Sequence, residues 1–285
     1  MIAAARWLGV RRIDLIECGS TNDEAARFAR AGASHGTIVV AESQTAGRGR
    51  NGRSWVSPTG VGLYMSAIVR PPFLADLALA LVPPMTLAIG IGLCDAVRAC
   101  GVAAVLKWPN DVLVGSKKLA GVLVESQSHG SRLEAVIIGI GVNLSGELPA
   151  ELAATAITLE QAEEDCAAGV DHAVVAAIDP GLPGKPSGSP ARFASLVCAH
   201  VESWIDRYVA IGLPGIIPAW HDRMAPGLAA SATVDGIALV GELAGLDGDG
   251  ALLLRDAAGR LHRIRSGDVE VIRPTVEAEA GVTSC

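Results

Sequence analysis

The stretch QTAGRGRNGRSW, residues 44–55, alternates three glycines with three arginines and holds no large apolar residue until Trp55. Such a stretch cannot form a core strand or an amphipathic helix, because glycine is costly inside either and the arginines have no dry face to share. It reads as a loop that offers backbone N–H groups and guanidinium forks to an anion, either phosphate or carboxylate. A solvated basic loop is the alternative, since that is what most charge runs are. Its flanks favour the anion reading. TIVVAES (37–43) is an apolar strand that runs straight into the loop, and Gly62 to Val69 alternates as the next strand. The loop therefore sits between two sheet strands, where a rigid scaffold positions it.

Upstream, Ile13 to Ile16 reads as a short strand, followed by Ser20-Thr21-Asn22 and a helical stripe (Ala25, Phe28, Ala29) closed by Gly32. Thr21 with Glu24 fits a capping box. Hydroxyls and an amide at a strand-to-helix junction also suit the polar head of a small ligand.

Downstream, Pro83-Pro84 opens a helix that runs to Cys100 and stops at Gly101. Lys107-Trp108-Pro109-Asn110-Asp111-Val112 is then a polar knot between apolar runs. A lysine and an aspartate at a buried strand end are expensive unless paired. Two readings stay open: a structural Lys–Asp pair in a turn, or a lysine for phosphate with Asn110 and Asp111 for Mg²⁺. Val112 to Val114, a glycine turn and Leu119 to Glu125 form a hairpin, and Leu133 to Leu144 adds a third strand. Asn143 ends a glycine-spaced strand, where a backbone or ligand approaches closely. Several mostly antiparallel strands with helices make an α+β arrangement.

Further on, DPGLPGKPSGSP (179–190) marks a flexible insertion over about 163–190. Ala191 to Ile211 and about Gly215 to Met224 are helical. After Pro226 short β runs with turn signals at 247–250 and 258–259 predict a small barrel of SH3-like size. The expected organisation is a catalytic domain at 1–226, a small β domain at 227–274 and a tail at 275–285.

The chain has 285 residues, half of them apolar, and a net charge of −7. The overall acidity argues against a nucleic-acid-binding surface, so the basic loop is a local feature. Six scattered cysteines (18, 94, 100, 166, 198, 285) form no C-x-x-C pair, which suits reduced thiols in the cytoplasm. There is neither a signal-peptide pattern nor an uninterrupted membrane span, and the apolar segment 77–100 reads as a buried helix.

Taken in order, Ser-Thr-Asn (20–22), QTAGRGRNGRSW (44–55), KWPNDV (107–112), KKLAGVLVE (117–125), GIGVNL (139–144) and GLDGDGALLL (245–254) resemble the biotin protein ligase family. The resemblance implies a catalytic domain of the class II aminoacyl-tRNA synthetase and biotin ligase type, followed by an SH3-like domain. It implies that biotin and ATP react to biotinyl-5′-AMP, which a lysine of a biotin carboxyl carrier domain then attacks. By that resemblance Ser20, Thr21, Asn22, Gln44, Arg48, Gly49, Arg50 and Lys118 hold biotin. Arg50, Arg53, Trp55, Lys107 and Asn143 hold ATP or the adenylate, with Trp55 stacking on adenine. Arg48, Lys107 and Lys118 are the catalytic candidates, and Mg²⁺ falls to Asn110 and Asp111. Nineteen residues precede Ser20, too few for a helix-turn-helix unit, so a monofunctional ligase without DNA binding is expected. Monomer and homodimer both stay open. The rivals are a lipoate or octanoate ligase of the same fold and a non-catalytic biotin sensor. The absence of G-x-x-x-x-G-K-[ST] argues against a Walker-type ATPase.

Overall fold

A computed structural model of the chain describes residues 5–70, 82–130, 132–167, 188–224, 229–234, 237–265 and 268–271. Two compact units are present, Met1–Arg223 and Met224–Cys285. The tail, and the insertion beyond residue 167 as far as 187, lie outside the described residues.

The first unit is built on a seven-stranded sheet in the order β1-β2-β3-β7-β6-β5-β4. Its strands are β1 (Arg12–Cys18), β2 (Ile38–Gln44), β3 (Gly62–Val69), β4 (Ala104–Lys107), β5 (Asp111–Val114), β6 (Lys117–His129) and β7 (Arg132–Asn143). Strand β1 runs parallel to β2, and every other pair is antiparallel. The β1-to-β2 crossover is helix α1 (Thr21–Arg30), as a parallel connection requires.

Strand alternation assigns the two faces. Val39, Ile68, Ala135 and Ile137 pack under Ala25 and Ala29 of α1. Their neighbours turn the other way, toward α2 (Met85–Arg98) and α4 (Pro190–Ile211). Ile38, for example, lies beside Gly9 together with Cys198 of α4. Helices α2 and α4 touch backbone to backbone at Gly92, where a Cβ would stand 2.6 Å from the Val201 Cα. Between them Asp95 accepts from Arg223 Nε at 2.6 Å and from Trp204 Nε1 at 2.9 Å.

Two helix ends differ from expectation. The N-cap of α1 is Ser20, with no side-chain capping bond. No Thr21–Glu24 box forms, because the Thr21 hydroxyl is drawn to Gln44 and Glu24 pairs with Arg27. A reciprocal box occurs instead at α3 (Leu159–Ala167). There Gln161 N donates to Thr158 Oγ1, and Thr158 N to Gln161 Oε1, both at 3.2 Å. The helix expected over 215–224 is a single turn and a half, α5 (Ile217–His221), entered from a tight turn at Leu213–Gly215.

The second unit holds β8 (Ala229–Val234), β9 (Ile237–Leu246), β10 (Leu252–Arg255), β11 (Leu261–Ile264) and β12 (Asp268–Val271). They form an antiparallel sheet of SH3-like size, ordered β11-β10-β9-β8-β12.

Residues 6–8 of the first unit are held by two acids of α4: Asp206 pairs with Arg6 and accepts from Trp7 Nε1 at 3.1 Å, and Glu202 takes the backbone. Glu202 of α4 accepts the amides of Arg6, Trp7 and Leu8 at 2.7–2.9 Å and the Arg6 Nε at 3.1 Å. Burial alone would push the Glu202 carboxyl up, but those amides and the Arg6 guanidinium outweigh it and hold it below the usual range. A lowered folded pKa means that the stabilisation is present above the unfolded value, about 4.3, and is lost as pH falls through the folded value. Glu202→Gln is therefore expected to cost about 2 kcal/mol at neutral pH. The gap to the parent chain should close below about pH 4. Thermal unfolding of both chains across pH checks this, and a gap independent of pH would refute it.

Candidate active site

The site begins with the alternation of strand β7. Ile138, Ile140 and Val142 are buried toward the core, so Gly139 and Gly141 face the other side, that of α1. Directly opposed residues of an antiparallel pair share a face. Gly141 pairs with Gly121 and Gly139 with Leu123 on β6, while Gly139 pairs with Ser66 on β3. Gly121 in turn pairs with Asp111, and Asp111 with Lys107. Beside the end of α1 the sheet thus presents a low floor of glycines, rimmed by Lys107, Asp111, Leu123, Glu125 and Ser66.

Three side chains lie directly on this floor, Trp55, Asn22 and Lys118, the last 3.2 Å from where a Gly121 Cβ would stand. A Cβ at Gly141 would meet the Trp55 ring at 2.5 Å, and one at Gly121 would meet it at 3.2 Å. A Cβ at Gly139 would overlap the Asn22 amide. Glycine is thus required by close approach at 139 and 141.

The glycine-arginine loop crosses above. It folds back on itself through Gly49 N to Arg53 O at 2.7 Å and Trp55 N to Gly47 O at 2.8 Å. The turn uses left-handed backbone at Asn51 (φ 54°) and Gly52 (φ 72°), which asparagine and glycine tolerate best. An open cavity of about 500 Å³ is lined by residues 46–54 of the loop together with Leu123 and Glu125. Arg48 reaches one side, to Glu125 at 2.9 and 3.0 Å and to Asp23 at 2.7 Å. Arg50 reaches the other, to Asn110 Oδ1 at 3.5 Å.

Most of the residues singled out from sequence fall into two connected groups. In the first, Thr21 donates its N–H and hydroxyl to Gln44 Oε1 at 2.7 and 3.1 Å. Gln44 Nε2 donates to Ser57 Oγ at 2.8 Å. Ser66 Oγ lies 2.6 Å from Asn22 Oδ1, and Asn22 Nδ2 donates to Glu125 at 2.6 Å. In the second, Asp111 is paired with Lys107 at 3.0 Å and Lys118 at 2.6 Å, and the Lys118 ammonium stands 5.1 Å from the Trp55 ring centre. Burial would raise the Asp111 carboxyl, but Lys118 and Lys107 outweigh it and hold it low.

Four candidates stand apart. Ser20 is buried at the helix cap. Asn143 is buried at the strand end, its amide directed to the carbonyls of Lys118 and Ile157 at 3.4 Å. Arg53 and Gly49 line the cavity on the loop.

Asn110 and Asp111 do not fit a divalent cation as they stand. Both Asp111 oxygens face ammonium groups, and Asn110 spends its amide on the Val122 carbonyl and faces Arg50 with its oxygen. Among the described residues no three His, Cys, Asp or Glu side chains gather as a metal site. The structural Lys–Asp pair is present, with a second lysine that the spacing did not indicate.

Sequence reading missed Glu125, Asp23, Ser57 and Ser66. A carboxylate ending the apolar run LAGVLVE was the available signal for Glu125. The others needed the register.

Residues 18–143 match the biotin/lipoate A/B protein ligase family, and residues 232–271 match the biotin protein ligase C terminal domain. A biotin--[acetyl-CoA-carboxylase] ligase of Paracoccus denitrificans is 36% identical over 257 residues, covering 86% of this chain and 95% of the relative. The bifunctional ligase/repressor BirA of Bacillus subtilis (strain 168) is 34% identical over 261 residues, covering 88% and 71%. Among solved structures, the biotin protein ligase from Aquifex aeolicus in complex with biotin and ATP superposes with a TM-score of 0.68 at 27% identity, over 93% of this chain and all of that one.

Asp111→Asn leaves two ammonium groups facing an amide and is expected to cost about 2 kcal/mol. Chemical denaturation measures this, and an unchanged midpoint would mean that the pairing contributes nothing to the fold.

Proposed function

The chain belongs to the biotin/lipoate A/B protein ligase family, and from that premise we propose that it activates biotin with ATP and passes it to a lysine of a biotin carboxyl carrier domain. The observation that carries this is the meeting of Arg48, Lys107 and Lys118 with Thr21, Asn22 and Gln44 over one glycine floor.

In the first step a biotin carboxylate oxygen attacks the α-phosphorus of ATP. A carboxylate–phosphorus anhydride forms, the bond to the β-phosphate oxygen breaks and pyrophosphate leaves. In the second step the lysine amine attacks the anhydride carbonyl. The amide forms, AMP departs with the bonding electrons and the amine gives up a proton. Two anions must be held in line for the first step, so oriented cations supply much of the catalysis.

We assign Ser20, Thr21, Asn22 and Gln44 to biotin, with Arg48, Gly49, Arg50 and Lys118. Thr21 and Gln44 are already bonded to each other, so the pocket is set before a ligand enters. Lys107 goes to the α-phosphate, held by Asp111 at the strand end. Trp55 offers adenine a ring backed by the glycine floor, and Arg50, Arg53 and Asn143 complete the nucleotide side. Magnesium enters with the ATP phosphates, as part of the substrate. The loop at 47–53 closes over the anhydride and keeps water out.

The carrier domain and a second copy of the chain are the macromolecular partners in this proposal, and nucleic acid is not one. A cytoplasmic setting is supported by the free thiols of the five described cysteines. No described helix is long and apolar enough to cross a membrane.

Biotin should drive exchange of labelled pyrophosphate into ATP, whereas octanoate and lipoate should not. Lys107→Ala should lower that exchange about 100-fold. Exchange with a fatty or lipoyl acid would move the protein to the other branch of the family. Tight biotin binding without exchange would make it a sensor. The amides of 47–53 should exchange with solvent faster in the free protein than with biotinyl-adenylate bound, and equal protection would refute closure.

A further inference from the structure

We infer that Glu125 is a positioning residue for biotin activation, one carboxylate that sets the Asn22 amide and the Arg48 guanidinium together. The inference rests on the biotin-ligase reaction proposed above. Glu125 lies on the floor side of β6, opposite Ile137. Its Oε2 accepts from Asn22 Nδ2 at 2.6 Å and from Arg48 Nη2 at 2.9 Å, and its Oε1 accepts from Arg48 Nη1 at 3.0 Å.

Each bond removes a freedom that matters to the ligand. An asparagine amide can turn over and exchange donor for acceptor. Here Glu125 takes the Nδ2 side, which leaves Oδ1 facing the Ser66 hydroxyl at 2.6 Å. The paired contacts to Arg48 fix the plane of the guanidinium as well as its place. A sheet strand thereby orients a side chain at the start of α1 and a side chain of the glycine-arginine loop together.

Asp23 also touches Arg48, at 2.7 Å, but through one nitrogen and with its own side chain 63% exposed. It leaves Asn22 untouched. The two carboxylates are thus unequal: Asp23 ties the loop to α1 by one contact of its own, whereas Glu125 bonds Asn22 and both terminal nitrogens of Arg48 together. The Arg48–Glu125 pair is partly solvated, with side-chain exposures of 41% and 36%. Pairs of that kind add little to folding. Their effect falls on the cost of ordering side chains when a ligand binds.

The test measures biotin-dependent pyrophosphate exchange in the full chain, varying biotin and ATP separately, with thermal midpoints alongside. Glu125→Gln keeps the shape and one accepting oxygen, but it turns an N–H₂ donor toward the Arg48 Nη1 and so loses the charge and the paired contact that fixes the guanidinium plane. It should raise the KM for biotin about tenfold, with the KM for ATP, kcat and midpoint near those of the parent. Asp23→Asn should change the KM for biotin less than about threefold. Glu125→Asp, one methylene short, should fall between parent and Gln variant, and it carries the test if the Gln variant does not fold. An unchanged KM for biotin in the Glu125 variants overturns the inference. So does an equal effect from Asp23→Asn, which would indicate general charge. A parallel rise in the KM for ATP with a fallen midpoint also overturns it, since that marks a purely structural role. Lack of exchange by the parent chain would instead undo the reaction itself, before any variant is made.

Discussion

The period-two alternation of one strand governs the active face. Along β7 every second residue from Ile138 to Val142 must fill the core, and the residues between them are then free to be anything the other face requires. What it requires at 139 and 141 is nothing at all. Two missing side chains let Asn22 and Trp55 lie directly against backbone, and register carries the same low surface to Gly121. Had the strand slipped by one residue, isoleucines would crowd the site and glycines would hollow the core. Core packing and site shape are therefore one specification.

Charge follows from that geometry. Asp111 sits on the same row as the glycines and is nearly buried, a costly place for a carboxylate. Lys107 from its own hairpin and Lys118 from the next strand neutralise it. The group as a whole keeps one excess positive charge beside the floor. The ammonium groups are held by a carboxylate rather than by long flexible stems alone, which suits a site that must receive two anions. On the far side Arg48 is held by acids in the same manner.

Much of this was legible in the sequence because it is local. The glycine-arginine loop between two apolar strands, the strand ends at Gly62 and Asn143, and the Pro84 start of α2 are all written in neighbouring residues, although α2 ends at Arg98, two residues before the expected Cys100. What was not legible depends on register or on distant partners. Thr21 looked like a helix cap until Gln44, on the adjoining strand, took its hydroxyl. Asp111 could be paired with Lys107 from spacing, but the bulge between Val112 and Leu113 sets the register at which Lys118 joins it. Glu125 meets Arg48 across 77 positions of chain, a distance over which no pattern in the sequence speaks.

The grip of Glu202 on the first strand's approach has a consequence in time. The amides of Arg6 to Leu8 find their acceptor only in a helix nearly two hundred residues later. A ribosome adding about 5–20 residues per second needs roughly 10–40 s to deliver it. During that interval the sheet strands through β7 have already emerged, while the segment leading into β1 still has its donors facing water. Residues 6–8 therefore wait longest for their acceptor, and it is helix α4 that completes their pairing.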